Sequence, residues 1–190
     1  MNRSPLKRFL ASFWEVAEVI LIAFVAVYAI RTFIAQPFLV SGESMEPNYK
    51  NGEYLLIDEL TYRFREPIRG EVVVFLYEGD EKSYFIKRII GLPGEKLTIS
   101  DDTISILDPK TSSTSITLVE SYLPQATRTF SEKTVTLKEN EYFVMGDNRG
   151  NSFDSRSWGP LGRDHIKGLV RLRIFPFNRF QTIAAPVYTQ

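Results

Sequence analysis

The sequence predicts an all-β domain of antiparallel sheets preceded by one N-terminal transmembrane helix. A long apolar run near the N-terminus indicates the helix. Behind it, segments of about four to eight residues rich in Val, Ile, Phe and Tyr alternate with Gly, Pro and Asn turns, a pattern typical of β-strands. With 190 residues, 14 Phe and 9 Tyr, the chain can hold one medium domain that carries a small inserted lobe.

The apolar run covers residues 9–30 and contains two charges, Glu15 and Glu18. About 22 residues at roughly 1.5 Å each suffice to cross a hydrocarbon core of roughly 30 Å. Basic side chains precede the run, so the positive-inside rule places residues 1–8 in the cytoplasm and the rest of the chain outside. We therefore expect a transmembrane anchor over residues 9–34.

Two other interpretations of this run are open. Its basic start and small residues such as Ala29 are also found in cleaved signal peptides. A buried helix of a soluble domain is the other, although acid-poor runs of this length are uncommon there. A retained anchor accounts best for the length of the run.

The strand-like remainder divides into two parts. Residues 35–94 and 141–190 have strong strand patterns, whereas residues 95–140 are richer in Ser, Thr and Asp and alternate more weakly. We expect the first two ranges to form the main β-domain, which would be catalytic, and residues 95–140 to form a small β-lobe inserted into it.

Composition excludes several classes of function. Lys plus Arg equals Asp plus Glu at 23 each, so no bulk charge indicates nucleic acid as a partner. Cysteine is absent, which excludes disulfides and a cysteine nucleophile. His165 is the single histidine, so a histidine metal cluster is not expected. We expect no metal and no cofactor, and a structural or solvent-exposed role for His165.

Three segments concentrate reactive side chains. Residues 41–47 read SGESMEP, and Ser44 follows a glycine turn at a strand end, where its hydroxyl faces solvent and its N–H can face an oxyanion. Lys87 lies inside the apolar string YFIKRII, where loss of hydration would favour the neutral amine. Residues 146–159 read GDNRGNSFDSRSWG and are dense in side-chain hydrogen-bonding groups.

Each segment also has a plain structural explanation. The first suits an ordinary polar turn between strands. Lys87 and Arg88 alternate along a strand, so one of them would face water in any case. The third suits a solvated loop, although a charge-assisted pair of Asp154 with Arg156 would brace it, and Ser152 could hold a neighbouring side chain in place.

Together the segments resemble the signature boxes of bacterial type I signal peptidases. These boxes are Gly-x-Ser-Met-x-Pro, Lys-Arg-x-x-Gly-x-Pro-Gly and Gly-Asp-Asn-Arg-x-Asn-Ser-x-Asp-Ser-Arg, and all three occur in the family's order behind an apolar segment. The resemblance implies β-sheets of the signal-peptidase type. It also implies a membrane-bound serine endopeptidase that removes N-terminal signal peptides from exported preproteins through an acyl-enzyme.

The resemblance assigns the site residues. Ser44 is the expected nucleophile and Lys87 the expected general base. Ser152 would orient the lysine amine, and Asp154 and Arg156 would brace the loop behind it.

The oxyanion hole is assigned only in part. The Ser44 N–H would form one arm. Gly42 stands where some family members carry a serine hydroxyl as the second arm, so a backbone N–H such as that of Gly42, or a water, remains open there.

The same resemblance predicts the partners and the location. The substrate would lie extended between two strands, and shallow apolar pockets would accept alanine-sized side chains before the cut; core packing is the alternative role for the pocket residues. The expected pocket residues are Phe38, Val40, Met45, Tyr49, Phe85 and Ile86. Expected partners are preproteins with signal peptides, the lipid bilayer and, by proximity, the export translocon. The expected location is the plasma membrane, single-pass, with the catalytic domain on the outer face.

Two other functions compete. A self-cleaving Ser-Lys protease of the stress-response repressor type shares the chemistry, but an anchor argues against it. A non-catalytic, membrane-tethered β-module would be natural if either Ser44 or Lys87 were missing, and both are present.

One departure from the family is Asn48-Tyr49, where Thr-Leu is more frequent.

Overall fold

A long helix and two antiparallel β-sheets make up the part of the chain that the computed structural model describes, namely residues 5–33, 35–80, 82–109, 114–186 and 188. The helices are α1 (Pro5–Phe33) and α2 (Ser155–Trp158), with short 3-10 turns at Thr61–Arg63, Arg163–His165 and Phe177–Arg179. The strands are β1 (Ala35–Leu39), β2 (Tyr54–Asp58), β3 (Val72–Leu76), β4 (Tyr84–Gly91), β5 (Lys96–Ser100), β6 (Thr103–Leu107), β7 (Ile116–Thr117), β8 (Lys133–Thr136), β9 (Glu141–Met145), β10 (Leu161–Gly162), β11 (Ile166–Phe175) and β12 (Gln181–Thr182).

The expected transmembrane helix is wrong. Helix α1 forms, but among the described residues no helix is both long enough and apolar enough to cross a membrane. The reason lies in the charges: Glu15 and Glu18 interrupt the run and leave residues 19–30 as its longest uncharged stretch. Such a segment rises only about 18 Å as a helix, short of a hydrocarbon core of roughly 30 Å. Residues 1–4 of the predicted cytoplasmic segment and residue 34 of the predicted anchor lie outside the described residues.

The prediction of β-structure behind the helix is correct. The larger sheet has the order β1-β2-β11-β3-β4-β9-β10, with β12 paired to β11. Its central strand β3 has the sequence VVVFL and is buried on both faces: Val72 and Val74 pack in one cluster, Val73 and Phe75 in another. A continuous apolar run is the pattern of a strand covered on both sides.

The smaller sheet has the order β7-β6-β5-β8 and lies within residues 96–136. Its weak alternation is nevertheless sufficient to bury one face. Leu97 pairs with Ile106 and Ile99 with Ile104, and all four side chains are buried. They pack together with Ile90, Phe143 and Met145 of the larger sheet, so the smaller sheet covers β4 and β9. Residues 110–113 of the predicted lobe lie outside the described residues.

Two open strand edges result from this topology. Strand β1 is the terminal strand of the larger sheet. Strand β4 pairs with β3 from Tyr84 to Arg88, but with β9 only from Arg88 onward. Its second edge, from Tyr84 to Lys87, therefore pairs with no strand of the described structure. Exposed edges of this kind can accept an added strand.

Candidate active site

Ser44 lies in the turn that follows β1. The turn is closed at its base by two backbone hydrogen bonds, Val40 N–H to Glu53 O at 2.8 Å and Gly52 N–H to Val40 O at 2.9 Å. Gly42 has φ of +94°, in the region that favours glycine because it lacks a Cβ. The glycine thus allows the sharp reversal that brings Ser44 above the sheet.

Lys87 reaches Ser44 from β4. Its Nζ donates a hydrogen bond to Ser44 Oγ at 2.7 Å and another to the Ile86 carbonyl at 3.0 Å. The side chain is only 4% exposed, and the ring of Phe85 lies 5.4 Å from the amine. Burial lowers the pKa of Lys87 to about 8, against the opposing attraction of Asp154 and Asp147. At that pKa, roughly half of the amine is neutral at pH 8 and a tenth at pH 7.

Strand alternation sends the next side chain to the opposite face. Arg88 forms a bidentate ion pair with Asp147, at 2.8 and 2.7 Å, and donates to the Gly70 carbonyl at 2.8 Å. Asn48 Nδ2 donates to the same Asp147 carboxylate at 2.8 Å. This buried network joins β4, the turn of Ser44 and the loop at residue 147. Sequence reasoning missed it, because no local pattern indicates which carboxylate Arg88 meets.

The loop of residues 146–153 holds the Ser44 turn from behind. The Asn148 N–H donates to the Ser44 carbonyl at 3.0 Å, and Asn148 Nδ2 donates to the Glu43 carbonyl at 3.1 Å. A Cβ on Gly146 would lie 2.3 Å from both Ser44 O and Ser152 Oγ. The turn and the loop therefore approach so closely that only glycine fits at position 146.

A buried ion pair braces the end of this loop. Asp154 caps α2 and accepts hydrogen bonds from Arg156 Nε and Nη2, both at 2.9 Å, and from the Gly146 N–H at 3.0 Å. Burial acts to raise the pKa of Asp154, but the hydrogen bonds from Arg156 outweigh it and the pKa is lowered. The Ser152 oxygen is buried close to this carboxylate and contributes slightly to the lowered pKa, yet it has no hydrogen bond of normal geometry to any described residue.

A second ion pair connects the loop to the region of the predicted lobe. Arg149 donates to both carboxylate oxygens of Glu120 and to Thr129 Oγ1 at 2.8 Å. Its side chain is buried. Nothing in the sequence indicated this pair, since its members lie 29 positions apart in different elements.

An open cleft of about 300 Å³ runs from Ser44 and Lys87 between β1 and the open edge of β4. It is lined by Phe38, Leu39, Val40, Ser41, Gly42, Glu43, Ser44, Leu55, Val74, Tyr84, Phe85, Ile86, Lys87, Asn151 and Phe153. The predicted pocket residues Phe38, Val40, Phe85 and Ile86 are among them.

Met45 and Tyr49, also predicted for the pockets, do not line the cleft. Both are buried in the hydrophobic cluster that includes Leu55. Sequence reasoning missed Leu55 and Val74 on the cleft floor, and Asn151 and Phe153 on its wall. The floor residues have the alternation of any core strand, which does not distinguish a cleft from a packed interior.

Aromatic rings close the far end of the cleft. Phe38 and Tyr84 meet edge to face across it, with ring centroids 5.4 Å apart. Phe153 is 53% exposed and packs edge to face on Tyr77 at 5.8 Å, and Tyr77 stacks on Phe85 at 4.8 Å. The cleft is therefore apolar at one end and has a hydroxyl and an amine at the other.

The single histidine lies apart from Ser44 and Lys87. Within the described ranges, no group of three or more His, Asp or Glu side chains could hold a metal ion. His165 Nε2 lies 3.3 Å from a carboxylate oxygen of Glu78, outside the cleft lining.

Comparison with known proteins gives one consistent family. The family model described as signal peptidase, peptidase S26, matches residues 13–175. The chain is 36% identical over 181 residues to a signal peptidase I of Bacillus licheniformis, covering 90% of this chain and 92% of the relative. It is 34% identical over 170 residues to a probable signal peptidase I-2 of Synechocystis sp., covering 87% and 74%. A solved signal peptidase I of Enterococcus faecalis V583 is 28% identical with a TM-score of 0.46, over 56% of this chain and 97% of that one.

Proposed function

This chain belongs to the signal peptidase family, peptidase S26, and is a serine peptidase; we propose that it cleaves signal peptides from preproteins with Ser44 as the nucleophile and Lys87 as the general base. The observation that carries the proposal is the distance of 2.7 Å between Lys87 Nζ and Ser44 Oγ at the end of an apolar cleft. A neutral amine at hydrogen-bonding distance can accept the hydroxyl proton as the oxygen attacks.

The reaction proceeds in two halves. Ser44 Oγ attacks the scissile carbonyl carbon, and its proton passes to Lys87 Nζ. The C–N bond then breaks, the ammonium returns the proton to the leaving amine, and an acyl-enzyme ester remains on Ser44. Water attacks the ester with Lys87 again taking a proton, and collapse of the second tetrahedral intermediate frees the signal peptide and regenerates the Ser44 hydroxyl.

The Ser44 N–H is the first donor to the developing oxyanion. No acceptor for this N–H lies among the described residues, so it is available to substrate. The Gly42 N–H instead donates to Asn51 Oδ1 at 3.0 Å in the free protein. Gly42 can therefore be the second donor only if that bond breaks, which favours a water molecule in this role.

Substrate binding follows from the open edges of β1 and β4. An extended segment can add its backbone to either edge, with its side chains pointing alternately toward the floor of Leu55 and Val74. Phe38, Val40, Phe85 and Ile86 line the sides. Because large side chains such as Phe38, Phe85 and Ile86 line the cleft, small residues before the cut should fit best, as expected for signal peptides.

Ser152 supplies the orienting contact to Lys87 in this proposal. Its buried oxygen makes no hydrogen bond of normal geometry among the described residues, although it lies close enough to Asp154 to lower the pKa of that carboxyl. Burying a polar oxygen without a hydrogen-bond partner costs free energy, and a hydrogen bond to the Lys87 amine during the reaction would offset that cost. The Asp154–Arg156 pair supports it by fixing the loop on which it lies.

We also propose that the enzyme works at a membrane surface, on the outer face and close to the translocon from which its substrates emerge. Signal peptides are themselves apolar and membrane-associated. Helix α1 exposes large apolar side chains from Phe13 to Tyr28, as a surface in contact with lipid would.

The test is cleavage of a preprotein with alanines before the cut by purified full-length variants. Ser44→Ala and Lys87→Ala should each lose at least about a thousandfold in rate, because removing one member of such a pair removes its whole function. Exposed residues of the same types, Ser115→Ala and Lys96→Ala, serve as matched controls and should retain wild-type rates. Wild-type turnover by either dyad variant would refute the assignment.

A further inference from the structure

A second cavity, of about 280 Å³, lies behind the Ser44 turn and is lined by three arginines, Arg88, Arg173 and Arg179. Its wall also includes Asn48 and Tyr49 of the turn, and none of the described residues lines it with a carboxylate. The carboxylates that pair with these arginines lie behind them. The cavity therefore presents guanidinium groups with no negative charge of its own.

The ion pairs around the cavity do not balance. Arg88 pairs with a carboxylate of its own, that of Asp147, in the bidentate ion pair described above. Arg173 and Arg179 instead share one carboxylate, that of Glu53. Glu53 is 2% exposed and Arg173 5% exposed, so water screens this pair poorly, whereas the Arg179 side chain is 33% exposed and reaches solvent. The cavity carries one positive charge in excess, and a bound anion would compensate it.

The hydrogen-bond donors that remain free at the cavity indicate which kind of anion would fit. Arg173 uses Nε on Glu53 and Nη2 on the Asn48 carbonyl, and Arg179 uses Nη1 on Glu53. Arg173 Nη1 and Arg179 Nε and Nη2 have no acceptor in the described part of the chain, nor has the side-chain amide of Gln181, which also lines the cavity. The free Nε–Nη2 edge of Arg179, together with Nη1 of Arg173 and the amide of Gln181, suits a tetrahedral oxyanion, which arginine binds through paired hydrogen bonds.

We propose that this cavity binds a phosphate group. The phosphate can come from a phospholipid headgroup or from free phosphate in solution. The rim favours the headgroup: Phe177, on the same 3-10 turn as Arg179, is 81% exposed, and Phe175 and Phe180 are exposed beside it. Aromatic rings next to basic side chains are characteristic of protein surfaces at the level of lipid headgroups.

The test is calorimetric titration of the full-length chain in neutral detergent at constant ionic strength, with two probes. Inorganic phosphate represents the free ion, and glycerophosphoglycerol, a soluble phosphodiester, represents a headgroup. Arg179→Gln should weaken binding about ten- to a hundredfold, as expected for losing charge-assisted hydrogen bonds. The variant should fold, because Glu53 keeps its bond from Arg173.

Arg171→Gln is the matched control. It removes an arginine of β11, the strand that carries Arg173. Arg171 pairs with Asp58 and does not line the cavity, so phosphate binding should stay within about twofold of wild type. Gln181→Ala, at an exposed position, gives an independent test and should weaken binding several-fold.

Phosphodiester binding at least as tight as that of inorganic phosphate, and lost in Arg179→Gln, identifies a headgroup site. Binding of inorganic phosphate alone, with the same loss, identifies a free-phosphate site. Absence of binding by both probes would overturn the proposal. Equal weakening by Arg171→Gln would also overturn it, because phosphate would then respond to the positive charge of the surface in general and not to this cavity. The proposal is independent of the Ser44–Lys87 chemistry, and the titrations can be repeated with Ser44→Ala.

Discussion

The close approach at Gly146 makes catalysis sensitive to a single methyl group on a residue that takes no part in the reaction itself. In Gly146→Ala the new Cβ would lie 2.3 Å from the Ser44 carbonyl oxygen and from Ser152 Oγ. Ordinary contact needs a separation of about 3.4 Å, so backbone or loop must move by roughly 1 Å. The Ser152 side chain can rotate, but the Ser44 carbonyl can only move together with the turn that carries the nucleophile.

A shift of this size breaks the geometry on which the proposed chemistry depends. The contact between Ser44 Oγ and Lys87 Nζ is 2.7 Å, and displacement by about 1 Å takes it beyond hydrogen-bonding range. Misplacement on this scale costs on the order of a hundredfold in rate. Overpacking should also lower the free energy of unfolding by about 1–3 kcal/mol, which leaves the protein folded.

The assay compares kcat/KM on a preprotein peptide with the urea unfolding midpoint. Gly150→Ala is the matched control: it lies in the same loop, and a Cβ there meets nothing within 4 Å. That control should retain both activity and stability. Near-wild-type kcat/KM in Gly146→Ala, or an equal loss in Gly150→Ala, would refute the argument from close approach.

Three further predictions concern the loop and the cleft. Asp154→Asn should lower the free energy of unfolding at pH 7 by about 3–5 kcal/mol, because it removes the charge that pairs with the buried Arg156. Folding lowers the pKa of Asp154 from 3.8, so the ionised carboxylate stabilises the folded protein above that pH, and this stabilisation is lost as the pH falls below it. In urea unfolding, the free energies of wild type and Asp154→Asn should therefore converge in acid. A difference that stays constant with pH would contradict the role of the pair. Ser152→Ala should reduce kcat by about ten- to a hundredfold while leaving KM nearly unchanged, and a rate equal to wild type would remove its orienting role. Phe153→Ala should widen the cleft wall, so that the preference for alanine over valine before the cut falls several-fold in competition assays; an unchanged preference would show that the ring does not contact substrate.

The sequence was informative wherever the physical cause is local. Alternation along β5 and β6 indicated the buried face that Leu97 and Ile104 form, although it was weak. The apolar string around Lys87 indicated a lysine deprived of water, and the structure places that amine 2.7 Å from the Ser44 hydroxyl. Both signals come from neighbouring residues in one strand.

The features that sequence reasoning missed depend on contacts between distant parts of the chain. The partner of Arg149 is Glu120, and that of Arg88 is Asp147, 59 positions away. Met45 resembles a pocket residue by position, but the turn directs it into the core.

For the N-terminal helix, the length of the apolar run concealed the effect of its acidic residues. Counting residues predicted an anchor, whereas Glu15 and Glu18 divide the run into a stretch too short to span.

The pH dependence of kcat/KM tests the central claim most directly, because it reports the pKa of the essential base in the free enzyme. If the neutral Lys87 amine activates Ser44, the rate should rise about tenfold per pH unit in the acid range and level off above the lysine's pKa of about 8. A plateau beginning near pH 8 is the predicted result. A rate that is flat from about pH 6, or that still rises past about pH 10 as for an ordinary lysine, would contradict the account.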